Sequence, residues 1–223
     1  MIGLRIALRE RTVSPALVAR AKKIAVANLS DCMSRLFSAP PALRPMHDGT
    51  SMAGVAITVR ARPGDNLMLH KSLDLAGPGD IIVCDGGGDL TNALIGELML
   101  AHAAKRKISG VVIYGAIRDA DAVRQASLPV FAAGVTHRGP YKDGPGEINT
   151  PISLGGVVVN PGDLVVGDAD GVLVIPYADA EAVIVAGEAK QAAETKTKSE
   201  IASGTWDRAW IDASLKRLGC KYE

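Results

Sequence analysis

Short, continuous apolar runs recur through the middle of the chain and predict the strands of a sheet buried on both faces. The runs lie in MAGVAITVRARPGD (52–65), IIVCD (81–85) and VVIYG (111–115). Such strands are typical of parallel sheets that are covered on each side. Between the last two runs, LIGELMLAHAAKRK (94–107) has Leu, Met and Ala at helical spacing. The pattern therefore predicts a β-α-β unit.

Helical patterns flank these strands at both ends of the chain. Ser14 can cap a helix and Pro15 suits its first turn, so one helix is predicted over 14–36. A long helical pattern begins at Ala178, and a short helix with the tryptophans follows it. We expect a single domain, residues 1–223, built from an N-terminal helical arm (1–37), an α/β core (50–176) and C-terminal helices (177–223).

Turn-forming residues separate the predicted elements. Pro-Gly-Asp occurs at 63–65, 78–80 and 161–163, and the last two copies directly precede apolar runs. Proline fixes one turn dihedral and glycine supplies the permissive one, so each copy predicts a turn. GDADG (167–171) predicts a hairpin. The Gly- and Pro-rich stretch 133–156 predicts a long surface loop without regular structure.

Composition and charge narrow the class of protein. The chain is 48 % hydrophobic but only 4 % aromatic, which suits a sheet covered by Ala-rich helices. With 25 basic and 24 acidic residues and no like-charge run, it is not expected to bind nucleic acid. Three cysteines without a C-x-x-C pair favour a reducing, cytoplasmic setting. No apolar run approaches the ~18 residues of a membrane span, so no membrane association is expected.

A glycine cluster follows the strand at 81–85 in IIVCDGGGDL. A strand followed by glycines resembles the start of a dinucleotide or S-adenosylmethionine site, but the G-x-G-x-x-G spacing is not met. Three alternatives stay open: a turn that needs positive φ, the wall of a small-anion pocket, and a nucleotide or methyltransferase site.

The start of the predicted central helix is a candidate anion site. If the helix begins near Gly96, the backbone N–H groups of Gly96, Glu97, Leu98 and Met99 lack intrahelical partners. Such groups carry partial positive charge and bind carboxylates or phosphates without a basic side chain. The alternative is an ordinary helix start in which Glu97 favours the helix dipole.

Arg118 and Asp119 lie just past the strand at 111–115, with Asp121 two residues on. Crevices in open parallel sheets form at the carboxyl ends of the strands. We therefore expect these side chains and the helix start to lie together at this edge of the sheet, which we call the rim. Arg118 can bind a carboxylate bidentately, and Asp119 suits a hard divalent cation such as Mg²⁺. The alternative is a surface Arg-Asp ion pair.

The remaining candidates are single side chains. The histidines form no H-x-H or H-x-x-x-H pair, so a histidine-based metal site is not expected. His137, in the glycine-rich loop, is kept as a candidate substrate contact. Lys71 has the chemistry for a Schiff base, and a partly exposed lysine without such a role is the alternative.

The central sequence resembles a known family. IIVCDGGGDLTNALIGELMLAHAAKRKISGVVIYGAIRDADAV (81–123) is similar to the central block of class II pyruvate aldolases that act on 4-hydroxy-4-methyl-2-oxoglutarate and 4-carboxy-4-hydroxy-2-oxoadipate. GVVVNPGDLVVGDADGVLVIP (156–176) resembles the closing hairpin of that family. The same fold includes the regulators of ribonuclease E activity. The resemblance implies a layered β/β/α domain of the phosphohistidine-swivelling type.

The family signature is an acidic residue, twenty intervening residues, and then Arg-Asp. Glu97, Arg118 and Asp119 match this spacing, with Glu where the best-known aldolases often have Asp. The regulators resemble this chain in DGGG and YGA-x-R but tend to lack both the acidic partner and the Asp after Arg. The resemblance therefore favours the catalytic branch.

The resemblance also implies roles for the matching residues. Asp119 would hold Mg²⁺ or Mn²⁺, and Glu97 would orient a water for proton transfer. Arg118 and the amides of Gly96, Glu97, Leu98 and Met99 would bind the substrate carboxylate and stabilise enolate charge. Glu194, or Glu188 as the alternative, would come from a neighbouring subunit, which implies a trimer or a dimer of trimers.

The expected function is a metal-dependent lyase that cleaves 4-hydroxy-2-oxo dicarboxylic acids to pyruvate and a second oxo acid, with oxaloacetate decarboxylase activity. The alternative is a non-catalytic regulator that binds a protein partner. Arg138 and Lys142, in the loop 134–150, are candidate contacts for the distal carboxylate of the substrate.

Overall fold

The structure, a computed structural model, describes residues 3–221. The helices are α1 Pro15–Ala21, α2 Val26–Cys32, α3 Leu67–Leu75, α4 Glu97–Lys105, α5 Ala120–Gln125, α6 Ala180–Ser203 and α7 Ala209–Arg217. The strands are β1 Leu4–Ile6, β2 Arg44–Pro45, β3 Met52–Ala61, β4 Asp80–Asp85, β5 Ala93–Ile95, β6 Gly110–Ile117, β7 Val130–Val135, β8 Gly146–Ile148, β9 Ile152–Leu154, β10 Val157–Val159, β11 Leu164–Asp168 and β12 Gly171–Ile175. No helix within 3–221 has both the length and the apolar character of a membrane span.

Four parallel strands, β3, β4, β6 and β7, form the centre of the main sheet in this order. The outer edge of β3 is shared by two antiparallel partners, β11 along its first half and β8 along its second. Strand β1 continues the sheet beyond β8, and β2 continues it beyond β7. The antiparallel pair β11 and β12 confirms the hairpin predicted at GDADG.

Alternate residues of the central strands face two different layers, as the pleat of a strand requires. In β4, Ile82 and Cys84 pack with residues of α3, α4 and α5. Ile81 and Val83 of the same strand pack on the other face with residues of β9, β10, β11 and β12. A third apolar cluster joins α1, α2 and α6 to β3 and the hairpin. The mixed α/β class with helices near both termini is therefore confirmed.

The single helix predicted over 14–36 is wrong, because the chain forms two short helices there. Residues 22–25 make a turn, and Ala25 has extended backbone with φ −59° and ψ 137°. Asp168 Oδ2 accepts the hydrogen bond of Val26 N–H at 2.9 Å, so the distant hairpin caps α2. The apolar spacing continues across the turn because both helices pack on α6.

The composition of the stretch 133–156 predicts an irregular loop, but part of this stretch forms strands. It includes the end of β7 and the whole of β8 and β9. Gly146 belongs to β8, where a Cβ would lie only 2.6 Å from Arg60 O on the neighbouring β3. Gly146 therefore allows β8 to approach β3 closely. Composition alone does not distinguish a glycine with this role from a glycine in a loop.

We expect Asp168→Ala to lower the free energy of unfolding by about 1–2 kcal/mol, the usual cost of a lost helix cap. The substitution removes the acceptor of Val26 N–H at the start of α2, and of Asp170 N–H within the hairpin. Urea denaturation measures the change. Asp170→Ala, in the same turn, is the matched control, and an equal loss in the control would contradict a capping role.

Candidate active site

The ends of β5 and β6 bring the start of α4 next to Arg118 and Asp119. These strands are parallel, with Ile95 beside Ile117. Arg118 N–H donates to Ile95 O at 3.0 Å, which fixes the residue after β6 against the residue before Gly96. Gly96 is the N-cap of α4, so the predicted helix start is confirmed. The helix start is later than 94 because Ala93–Ile95 pairs with β6 as a strand.

Asp119 turns the chain from β6 into α5 and directs its carboxylate back toward α4. Its backbone is left-handed, with φ 58° and ψ 43°, a conformation that costs a non-glycine residue ~1–3 kcal/mol. Asp119 Oδ2 accepts the hydrogen bond of Glu97 N–H at 3.0 Å and lies 3.5 Å from Arg118 Nε. An amide and a guanidinium therefore hold this partly exposed carboxylate in one position.

Gly96 allows this close approach. Its backbone is extended, with φ −145° and ψ −172°, a conformation that any residue adopts. A Cβ at this position would overlap Asp119 Oδ2 and lie 3.0 Å from both Cγ and Nε of Arg118. Glycine is thus required by the two neighbouring side chains and not by the backbone conformation.

The backbone amides at the start of α4 differ in their partners. The first intrahelical bond runs from Leu100 N–H to Gly96 O at 3.1 Å. The N–H groups of Leu98 and Met99 precede it and have no acceptor within the helix. Glu97 N–H is already bonded to Asp119. The amides of Leu98 and Met99 are therefore not used by the helix, whereas the amide of Glu97 bonds Asp119.

A pocket of about 260 Å³ opens beside these groups, between α3, α4 and the loop that follows β7. This volume lies below the ~300–1,000 Å³ of drug-sized sites, which suits a small metabolite. Its polar lining side chains are Asn66, His70, Arg118 and Lys142, and no acidic residue within 3–221 lines it. The balance of charge therefore favours an anionic ligand.

Asn66 and His70 line the pocket but were not predicted from the sequence. Asn66 is 2 % exposed and its Nδ2 donates to Leu94 O at 2.9 Å, while its Oδ1 has no partner in the described part of the chain. Burial lowers the pKa of His70 and the charge of Lys142 lowers it further, against an opposing effect of Asp74. One feature of the sequence sets this region apart. The first Pro-Gly-Asp copy precedes helix α3, whereas the other two copies precede strands.

The glutamates predicted to belong to the site do not line this pocket. The side chain of Glu97 is exposed and lines a neighbouring groove between α4 and α5. Glu194 Oε2 accepts a hydrogen bond from Asn28 Nδ2 at 3.0 Å, and Glu188 pairs with Arg20 at 2.8 Å. Both belong to α6 and contact the N-terminal helices of the same chain. A role for Glu194 in the site of a neighbouring subunit stays a prediction.

The other predicted candidates are distributed over several places. Lys142 lines the pocket, whereas His137 and Arg138 do not. Lys71 is exposed and pairs with Asp74 at 3.2 Å. In the glycine cluster, Gly87 and Gly88 have positive φ of 71° and 70°, which favours the turn interpretation.

The donor set at the rim fits a hydrated divalent cation held by one carboxylate. Asp119 Oδ2 receives the Glu97 amide, and Oδ1 has no hydrogen-bond partner among residues 3–221. No group of three or more His, Cys, Asp or Glu side chains in that range is arranged for a metal ion. A cation here would therefore take most of its ligands from water and substrate, as Mg²⁺ does in many sites with one or two carboxylates.

Comparison with known proteins identifies the family of the chain. Residues 26–174 match the family model described as RraA-like, Aldolase/RraA. A protein of Halalkalibacterium halodurans, named "Putative 4-hydroxy-4-methyl-2-oxoglutarate aldolase", is 39 % identical over 188 residues, or 84 % of this chain and 90 % of the relative.

Solved structures share the fold. A protein from Pseudomonas syringae pv. tomato aligns with a TM-score of 0.77 at 26 % identity, over 86 % of this chain and 95 % of the other. The RNA-processing inhibitor RraA from Thermus thermophilis aligns with a TM-score of 0.63 at 32 % identity, over 68 % and 92 % of the two chains. With the family model matching most of its length, the chain belongs to the RraA-like family, Aldolase/RraA.

Proposed function

We propose that the protein is a divalent-metal-dependent lyase that cleaves 4-hydroxy-2-oxo dicarboxylic acids to pyruvate and a second oxo acid, and that it also decarboxylates oxaloacetate. The observation that carries the proposal is the rim at which Asp119, Arg118 and the start of α4 meet. It combines one carboxylate for a cation with a guanidinium and free amides for an anion. The name of the H. halodurans relative supports the aldolase part of this proposal.

Both reactions require stabilisation of the same negatively charged intermediate. Cleavage of the C3–C4 bond and loss of CO₂ from oxaloacetate each leave negative charge on the enolate of pyruvate. Bound Mg²⁺ or Mn²⁺, held by Asp119, would supply Lewis-acid stabilisation of that charge. Arg118 and the amides of Leu98 and Met99 would bind the C1 carboxylate and so orient the 2-oxo group. Neither reaction requires a nucleophilic side chain.

Proton transfer to and from the substrate requires a base near the rim. Glu97 begins α4 and its side chain is exposed. In this proposal Glu97 orients a water at the rim. Glu194 is the second candidate, contributed in this proposal by another subunit. The proposal therefore includes a homo-oligomer, a trimer or a dimer of trimers, with the pocket between subunits.

A second candidate function is a regulator that binds a protein partner without catalysis. The similarity to the RNA-processing inhibitor RraA from T. thermophilis favours it. Turnover of 2-oxo acids distinguishes the two functions. The lyase should turn them over in a reaction that depends on Arg118 and Asp119, and the regulator should not turn them over.

We expect the purified protein to release pyruvate from oxaloacetate with Mg²⁺, and EDTA to reduce the enzymatic rate by about 10²-fold or more, because several kcal/mol of charge stabilisation are lost. A lactate dehydrogenase assay measures pyruvate. Oxaloacetate also decarboxylates spontaneously, so Mg²⁺ without protein and an Arg118→Ala variant are the controls. Restoration by excess Mg²⁺ shows that EDTA acts by removing the cation. If no 2-oxo acid is turned over with metal, the regulator is favoured.

A further inference from the structure

The loop that closes the pocket is held by a buried carboxylate behind it. Asp65 is 1 % exposed. Its Oδ2 accepts the N–H groups of Asp143 at 2.7 Å and Gly144 at 2.9 Å, and its Oδ1 accepts Leu67 N–H at 2.9 Å. One side chain therefore joins the start of α3 to the two residues that follow Lys142.

Backbone hydrogen bonds hold the other side of Lys142. Tyr141 N–H donates to Gly64 O at 2.8 Å, and Asn66 N–H donates to Tyr141 O at 3.0 Å. The Cα of Lys142 is thus fixed between two anchored residues, although its ammonium is carried on a flexible stem.

A carboxylate this deeply buried is costly unless it is paired, and here three amides and Arg62, at 3.2 Å, satisfy it. The segment it secures includes Lys142, whose side chain lines the pocket with Arg118. The charge of Lys142 also lowers the pKa of His70, another residue of the pocket lining, after the larger effect of burial. Two cationic side chains therefore face one small pocket that has no acidic lining residue within 3–221.

We propose that Asp65 is a positioning residue that fixes Lys142 at the pocket, so that Lys142 binds the second carboxylate of a dianionic 2-oxo acid while Arg118 and the amides of α4 bind the first. Asp65 touches no ligand and acts only through the loop. The identity of the ligand rests on the proposed function, whereas the hydrogen bonds of Asp65 do not.

The test compares ligands of different charge in the full chain with Mg²⁺. Asp65→Asn replaces one acceptor oxygen by a donor NH₂ group, so either Leu67 N–H or the Asp143 and Gly144 pair loses its acceptor. We expect the Kd of 2-oxoglutarate, a dianion, to rise about tenfold, the value of one charge-assisted contact, and the Kd of pyruvate to stay within about twofold. Calorimetry measures both constants.

A double-mutant cycle separates positioning from general damage. Lys142→Met should weaken 2-oxoglutarate binding as much as Asp65→Asn does, and the double variant should be no weaker than either single variant. Additive losses would mean that Asp65 does not act through Lys142, and would overturn the inference.

Asp163→Asn is the matched control, because Asp163 is 3 % exposed and accepts Asn160 N–H at 2.8 Å and Tyr177 N–H at 2.9 Å without lining the pocket. It should lower stability and leave both binding constants unchanged. Hydrogen exchange is an independent readout, since the amides of Asp143 and Gly144 should exchange faster in Asp65→Asn. Unchanged exchange, or equal weakening of both ligands, would contradict the proposal. 2-Oxoglutarate lacks the 4-hydroxyl group that cleavage needs, so it serves only as a ligand. If it binds as expected but neither oxaloacetate nor a 4-hydroxy-2-oxo acid is turned over with metal, the lyase is refuted and the role of Asp65 stands.

Discussion

Asp119→Asn is expected to reduce kcat/KM for pyruvate release about 10³-fold, because it removes the carboxylate proposed to hold the cation, and with it several kcal/mol of charge stabilisation. The local structure should survive. An asparagine oxygen still accepts Glu97 N–H, and asparagine tolerates the left-handed backbone at φ 58°. The loss should therefore fall on the reaction and not on folding.

Steady-state kinetics with oxaloacetate, at saturating Mg²⁺, measures this effect. Asp121→Asn is the matched control, since Asp121 lies two residues further on and its side chain is 92 % exposed in an ion pair with Arg124. The control should retain full activity with an unchanged melting temperature. An Asp119→Asn variant that keeps activity within about tenfold of the wild type would be incompatible with a metal-holding role.

Gly96→Ala is expected to reduce kcat/KM about 10²-fold, the cost of displacing reacting groups by about 1 Å. The added Cβ would overlap Asp119 Oδ2 and crowd Arg118 Cγ and Nε, so both side chains must move. The backbone of Gly96, at φ −145°, accepts alanine without strain, and alanine is only a somewhat poorer N-cap than glycine. The variant therefore tests the geometry of the site with little direct cost to the fold.

Gly77→Ala is the control for this substitution, because a Cβ at Gly77 meets no atom within 4 Å. Kinetics and thermal denaturation of both variants are to be compared. Similar activity in the two variants would show that the contact between Gly96 and Asp119 has no functional importance.

The sheet and the rim were predictable because they follow from local patterns and one topological rule. Continuous apolar runs around Ile82 and Val112 identify buried parallel strands, and parallel strands place their carboxyl ends at one edge. That rule places Arg118 and Asp119 at the same edge as the start of α4, and the pairing of β5 with β6 then brings them into contact.

Other features were not predictable because their cause lies far along the chain. The break near Ala25 depends on Asp168, which is 142 residues away in sequence. The function of Asp65 depends on Asp143 and Gly144, and an aspartate in a Pro-Gly-Asp turn has no local sign of such a partner. The hydrogen bond from Glu97 N–H to Asp119 likewise cannot be predicted without the positions of both residues in the fold.

The most direct measurement is a crystal structure of the protein soaked with Mg²⁺ and pyruvate. We expect the cation against the carboxylate of Asp119, and the pyruvate carboxylate between Arg118 and the amides of Leu98 and Met99. Pyruvate and cation bound at another face, with Asp119 contacting neither, would contradict the lyase at this rim.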